Sequence, residues 1–258
     1  MNIHGLLMDL RVPQVMGILN VTPDSFYVGS RKQTEGEIAE RCHQIVSEGG
    51  SIIDVGACST RPGADVASES EEMERLRFAL TVVRREQPSA VVSVDTFRPD
   101  VARMAVEEFG ADLINDVSEG SPEMFRMVAR LGAPYILMSV QPTMRETLLT
   151  FAQKVQQLRD FGAKDIILDP GFGFGKTLEQ NYQIMNELEQ LQVMALPVLV
   201  GVSRKSMIYK TFGCTSNESL NGTTALHTVA LMKGASILRV HDVREAVECV
   251  SIVQQIKL

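Results

Sequence analysis

The stretch Val91-Val-Ser-Val-Asp-Thr-Phe-Arg-Pro-Asp-Val-Ala-Arg-Met-Ala-Val-Glu-Glu-Phe-Gly-Ala-Asp-Leu-Ile-Asn-Asp-Val117 decides the fold class. It opens on a β-branched run, Val91 to Thr96, that reads as a buried parallel strand. Pro99 can open a helix and Gly110 can close one, so Pro99 to Phe109 reads as the helix between them. A second apolar run, Leu113 to Val117, completes a strand–helix–strand unit.

The same alternation continues in both directions. Strands are expected at Val15 to Asn20, Ile52 to Gly56, Val91 to Thr96, Leu113 to Val117, Tyr135 to Ser139, Ile166 to Pro170, Val198 to Ser203 and Ile237 to His241. Helices are expected at Glu35 to Glu48, Glu69 to Arg85, Pro99 to Phe109, Glu123 to Leu131, Met144 to Phe161, Leu178 to Gln192, Thr223 to Lys233 and Val243 to Ile256. No linker or change of composition divides them. Eight units in 258 residues predict an α/β fold, a single-domain (β/α)₈ TIM barrel over residues 1–258.

A net charge of -7 with 22% charged residues gives no basic surface for nucleic acid or an anionic membrane. The opening residues lack a signal-peptide pattern and no run suits a membrane span, so a cytoplasmic protein is expected. Cys42, Cys58, Cys214 and Cys249 lie far apart, which suggests reduced thiols rather than zinc ligands or a disulfide framework. Cys58 borders an expected rim loop.

In such a barrel, functional side chains gather at the C-terminal strand ends. Those ends carry Asn20, Thr60, Arg61, Asp95, Asn115, Met138, Asp169, Ser203, Lys205, Arg239 and His241. Any single Asp or Asn there can simply cap the next helix or satisfy a loop, and Asp95 and Asp116 are fair examples. Taken together, Asp95, Asn115, Asp169 and Lys205 offer acceptors, an amide and a cation to a flat ligand edge. Arg239 interrupts the apolar run Ile237-Leu-Arg-Val240, and with Asn20 and His241 it suits phosphate oxygens, directly or through a divalent cation.

The stretch Asp169-Pro-Gly-Phe-Gly-Phe-Gly-Lys-Thr177 ends like a nucleotide-binding loop. Pro170 stands where that pattern needs glycine, and the dinucleotide spacing is also absent. An aromatic slot lined by Phe172 and Phe174 is the alternative, as is a plain wide turn.

Seven segments resemble, in order, the signatures of the dihydropteroate synthase family. They are Gly17-Ile-Leu-Asn-Val-Thr-Pro-Asp-Ser-Phe26, Asp54-Val-Gly with Ser59-Thr-Arg-Pro-Gly63, Ser93-Val-Asp-Thr96, Ile114-Asn-Asp116, Asp169 to Lys176, Gly201-Val-Ser-Arg-Lys205 and Arg239-Val-His241. The resemblance implies an Mg²⁺-dependent transferase of folate biosynthesis that joins a pterin diphosphate to 4-aminobenzoate, a site where sulfonamides compete. It implies that Asp95, Asn115, Asp169 and Lys205 bind the pterin edge, with Met138 nearby and Arg239 stacked on the ring. Asn20 would hold Mg²⁺, and Asn20, Arg61, Arg239 and His241 the diphosphate. Thr60, Arg61, Pro62, Phe174 and Ser203 would form the aminobenzoate side, with Asn20, Arg61, Asp95, Lys205, Arg239 and His241 serving catalysis. The implied mechanism is dissociative, through a cationic pterin methylene under the closed first two loops. A homodimer through the last helices is implied in the same way.

Two segments depart from the family pattern. Val28 stands where a further acidic residue is usual, and Met138-Ser-Val-Gln-Pro142 replaces a Met-His motif. A methyltetrahydrofolate-binding corrinoid methyltransferase and a non-catalytic pterin-binding paralogue are the alternatives, the first opposed by Ser59 to Gly63 and Ser203-Arg-Lys205. Val28→Asp is expected to raise Mg²⁺-dependent turnover, read as diphosphate release. Equal turnover by the two proteins would show that Val28 does not limit this loop.

Overall fold

A computed structural model describes residues 1–3, 6–21, 31–58 and 67–257. Eight parallel strands make the barrel: β1 (Gln14–Asn20), β2 (Ile52–Gly56), β3 (Val91–Asp95), β4 (Leu113–Asp116), β5 (Tyr135–Met138), β6 (Ile166–Asp169), β7 (Leu199–Val200) and β8 (Ile237–Val240). Each strand pairs with the next from β1 to β6, and β8 pairs with both β1 and β7. The ring closes where Leu168 bridges Val198 and its N–H donates to Pro197 O at 2.9 Å. Parallel neighbours require crossovers, and the helices supply them.

Those helices are α1 (Arg31–Ser47), α2 (Glu69–Glu86), α3 (Pro99–Phe109), α4 (Pro122–Leu131), α5 (Met144–Asp160), α6 (Leu178–Asn186), α7 (Ser206–Phe212), α8 (Leu220–Met232) and α9 (Val243–Lys257). Their ends follow local chemistry. Gly110 closes α3 with φ 62°, a left-handed conformation that costs glycine nothing. Ser68 with Glu71 and Thr177 with Gln180 form capping boxes on α2 and α6.

The expected strands and helices are found with shifted ends, α1 beginning at Arg31 rather than Glu35 and α8 at Leu220 rather than Thr223, and with three larger differences. β7 is only two residues long: its ladder with β8 ends at Val200, and the chain then reaches φ 55° at Arg204. The expected helix from Leu178 to Gln192 breaks after Asn186 into a 3₁₀ segment, Leu188–Met194, whose i, i+3 geometry buries Leu188 and Leu191 together. α7 is an additional short helix between β7 and α8.

Inside the barrel, Met16, Ile52, Leu113, Ile136, Ile167, Leu199 and Ile237 form one apolar layer near the strand starts. Met1, Met8 and Leu10 pack beneath it, so the N-terminal segment, with its short antiparallel pair Asn2–Ile3 and Leu6–Leu7, plugs that end. A larger apolar cluster lies between the strands and the helices. The floor is therefore apolar, and the interior positions of Asp54, Asp95, Asn115 and Arg239 lie toward the strand ends.

One imidazole is sealed in the helical layer. His227 on α8 is 1% exposed, and its Nε2 has no hydrogen-bond partner among the described residues. Burial pushes its pKa down to about 4, against the opposing pull of Asp242. The folded protein therefore holds it neutral, while an unfolded imidazole protonates near pH 6.5. Stability from this site is present above pH 6.5 and is lost as pH falls toward 4. In urea unfolding, the stability lost between pH 7 and pH 5 should be about 2 kcal/mol smaller in His227→Leu than in wild type. Equal losses would refute a neutral buried His227.

Candidate active site at the C-terminal rim

Four strands place charged or amide groups in one layer at the rim. Arg239 on β8 donates from Nε to Asp54 Oδ2 at 2.7 Å and from Nη2 to Asp95 Oδ2 at 2.8 Å. Asn115 on β4 donates from Nδ2 to the same Asp54 oxygen at 3.2 Å. The register explains the meeting, since Asp95 lies opposite Asn115 and, on its other side, Gly56. A Cβ at Gly56 would stand 3.4 Å from Asp95 Cβ and 3.6 Å from Asn20 Oδ1, which puts the exposed Asn20 amide on the same rim.

The layer has acceptors to spare. Asp54 Oδ1 and Asn115 Oδ1 are buried without a hydrogen-bond partner among the described residues. Leaving such atoms unmet costs about 1–3 kcal/mol each, which a ligand with adjacent N–H donors can recover. Burial pushes the Asp95 pKa up, with Arg239 opposing and Asp54 reinforcing the rise. Burial alone would lower the Arg239 pKa, but Asp54 and Asp95 outweigh it and hold the guanidinium charged.

Asp169 and Lys205 form the second half. Asp169 Oδ1 accepts the Gly171 N–H at 2.8 Å, starting the glycine-rich loop directly after β6. Gly171 has φ 67°, and a Cβ there would come within 2.1 Å of Ser139 O. Only glycine permits this approach to the β5 loop. Lys205 Nζ donates to Phe172 O and lies 4.7 Å from the Phe174 ring centroid, within cation–π range. Burial pushes Lys205 down to about 8, with Asp169 as the main opposing charge. Burial likewise raises Asp169, with Lys205 opposing. Gly201 joins the halves, for a Cβ there would lie 3.8 Å from Arg239 Cβ and 3.9 Å from Lys205 Nζ.

Ser203 and His241 meet beside this pair. Ser203 Oγ accepts the His241 backbone N–H at 3.1 Å and lies 3.1 Å from its Nδ1. If the hydroxyl donates to Nδ1, the ring proton is on Nε2. Burial, then Arg239, pushes His241 down to about 4, so the ring is a neutral donor at pH 7. Arg204 fixes the turn between Ser203 and Lys205 by gripping both oxygens of Asp242 at 2.6 and 2.9 Å.

Thus Asn20, Asp95, Asn115, Met138, Asp169, Phe174, Ser203, Lys205, Arg239 and His241 share one rim. Met138 is fully buried beside the loop, opposite Asp169 in register. Thr60, Arg61 and Pro62, like Asp24 and Val28, lie outside the described residues. Asp116 is engaged locally, accepting from Ser118 in the loop and from Tyr135, while Ser121 caps α4; Asp95 instead meets Arg239. The expected set lacks Asp54, although an ionised group inside Ile52-Ile-Asp-Val55 carries the same signal as Arg239 in β8. Cys58 is not an activated thiol, because burial and then Glu72 raise its pKa. Among the described residues no group of three His, Cys, Asp or Glu side chains forms a metal cage.

Two grooves, of about 690 and 270 Å³, lie elsewhere around Val46 and Gln87, between the α1 and α2 C-terminal ends. They contain none of the converging groups. The concentration of buried charge, not concavity, marks the rim as the site.

Residues 16–241 match the family model described as pterin binding enzyme. The dihydropteroate synthase of Escherichia coli is 38% identical over 97% of this chain and 94% of its own length. That of Clostridium beijerinckii is 38% identical over 90% and 89%. The Xanthomonas albilineans dihydropteroate synthase structure with 4-aminobenzoic acid superposes with a TM-score of 0.91 at 34% identity, covering 98% of this chain and 96% of that one. The Anaplasma phagocytophilum synthase with bound 6-hydroxymethylpterin-monophosphate gives 0.88 at 31% identity, covering 95% and 99%. With barrel, rim chemistry and nearly full-length similarity in agreement, the chain belongs to the dihydropteroate synthases of the pterin-binding enzyme family.

Proposed function

We propose that the protein condenses (7,8-dihydropterin-6-yl)methyl diphosphate with 4-aminobenzoate to give 7,8-dihydropteroate and diphosphate. The observation that carries this reading is the single buried layer of Asp54, Asp95, Asn115 and Arg239 beside Asp169 and Lys205. Its unmet acceptors suit the adjacent N–H donors of a pterin edge, and Lys205 suits a ring carbonyl or nitrogen. Met138 contributes apolar contact, and Arg239 offers a flat cationic face to the ring.

The methylene C–O bond breaks with its electron pair leaving on diphosphate. The aryl amine then forms the C–N bond and sheds one proton. An aniline is a weak nucleophile, so catalysis rests on departing charge and alignment, with no covalent enzyme intermediate. Asn20, Arg61, Arg239 and the neutral His241 donate to or orient the diphosphate. Phe174 and Ser203 would serve the aminobenzoate side together with Thr60, Arg61 and Pro62, Phe174 supplying an aromatic wall.

Asn20 would hold Mg²⁺. Its exposed carboxamide oxygen is a hard donor, and Mg²⁺ commonly takes one or two protein oxygens and fills its shell with phosphate and water. When bound, the ion neutralises leaving-group charge.

We place the protein in the cytoplasm as a homodimer. No helix among the described residues is long and apolar enough to cross a membrane. The dimer is supported by exposed Phe212, Val229, Met232, Ile252 and Ile256 on α7, α8 and α9. Sedimentation should give twice the 28.4 kDa chain mass. A monomer would refute the dimer.

Purified protein with Mg²⁺, the dihydropterin diphosphate and 4-aminobenzoate should release diphosphate and form dihydropteroate. Pterin binding without product would indicate a non-catalytic paralogue, and methyl transfer to a cobalamin carrier a corrinoid methyltransferase. Asp95→Asn and Lys205→Met should each weaken calorimetric pterin binding by about 2–3 kcal/mol. Wild-type affinity in both would overturn their assignment to the pterin edge.

A further inference from the structure

The Gly-Lys-Thr ending of the glycine-rich loop has a use unrelated to phosphate. Thr177 is occupied as the N-cap of α6. Lys176 turns inward, and its ammonium donates to Ser139 O at 2.9 Å, Gly171 O at 3.0 Å and Phe174 O at 3.4 Å. An ammonium has three N–H donors, and each meets a carbonyl. One carbonyl belongs to the loop after β5 and two to the loop after β6.

The same β5 loop is held from its other side. Glu119, in a left-handed conformation at φ 71°, accepts the Val140 N–H at 2.9 Å and the Gln141 side-chain amide at 3.2 Å. Lys154 Nζ donates to Glu119 O at 2.6 Å and steadies that turn. Asn181 on α6 completes the frame by accepting the Gly173 N–H at 2.7 Å. The segment Ser139-Val-Gln141 is thus pinned between two loops, and Lys176 is the group that transmits its position to the Phe172–Phe174 segment.

That segment carries both contacts of Lys205, the Phe172 carbonyl and the Phe174 ring. A buried cation set on three carbonyls is a costly way to close a turn, because burial disfavours the charged form more than the nearby Asp169 and Glu119 favour it. Its return is directional, since three carbonyls from two loops are fixed around one point.

We propose that Lys176 is a positioning residue for the reaction. It sets the place of the Phe174 ring, and through Phe172 that of the Lys205 ammonium, without itself touching substrate. This rests on the assignment of Phe174 and Lys205 to the substrate site.

The test compares Lys176→Met, which removes the donors at similar length, with Lys176→Arg, which retains them. In Lys176→Met the KM for 4-aminobenzoate should rise about tenfold while kcat stays within about threefold, and Lys176→Arg should recover part of the loss. Unchanged KM in Lys176→Met, or a fall in kcat alone, would overturn the proposal. A second readout needs no turnover. The chain has no tryptophan, so Phe174→Trp introduces a single reporter. Acrylamide quenching of that indole should rise about twofold or more when Lys176→Met is added, and fall back with Lys176→Arg. Unaltered quenching would refute the positioning role even if wild type makes no dihydropteroate, whereas an inactive wild type with altered quenching would refute only the assigned reaction. If Lys176→Met does not fold, Lys176→Gln carries the same comparisons.

Discussion

The Arg239 guanidinium, set between Asp54 and Asp95, is the constraint on which the rest of the site depends. Taking a guanidinium and two carboxyl groups out of water is costly, and only close pairing with further hydrogen bonds offsets it. Here the pairing joins β8 to β2 and β3, and Asn115 extends it to β4 through the shared Asp54 oxygen. Because the barrel brings β8 beside β1, side chains nearly two hundred positions apart can complete one network. Removing one member leaves its neighbours charged and buried, a penalty of about 3–5 kcal/mol in comparable networks.

The network is incomplete in a way that points to ligand binding. A purely structural ion cluster would satisfy all its acceptors, but Asp54 Oδ1 and Asn115 Oδ1 have no partner among the described residues. Burial also leaves Asp95 and Asp169 with raised pKa values, so each gains by receiving donors. Lys205 is shifted the opposite way by the same burial. A flat molecule with donors on one edge and an acceptor beside them relieves all of these at once, so recognition and the relief of local strain are the same event.

Sequence made the polar interruptions visible and hid the backbone geometry. Arg239 in β8 and Asp169 ending β6 could be read directly, because a buried parallel strand excludes charge unless the charge is used. Asp54 gives the same signal, yet it stands two residues before the strand end and is easily passed over as part of a motif. Lys176 is harder. A lysine after glycine and before threonine looks like a phosphate ligand, and only the left-handed turns at Gly171, Gly173 and Gly175 direct it onto carbonyls. The two-residue β7 was likewise hidden, since the apolar run continues through Val202 after the backbone has turned away.

The two ends of the barrel divide the physical demands. The floor is apolar from Met16 to Ile237 and is sealed from below by Met1, Met8 and Leu10. The rim gathers the buried charges, the unmet acceptors and two non-glycine residues with positive φ, Glu119 and Arg204. Each such feature costs free energy, of order 1–3 kcal/mol for a left-handed non-glycine or an unmet polar atom. They persist because rigid strands below fix where the loops begin, and because specific contacts hold the turns: Arg204 on Asp242, and Glu119 on Val140 and Lys154. A well-packed floor can tolerate that expense at the rim, whereas a charge inserted among Ile52, Leu113 and Ile167 would find no partner to offset its desolvation.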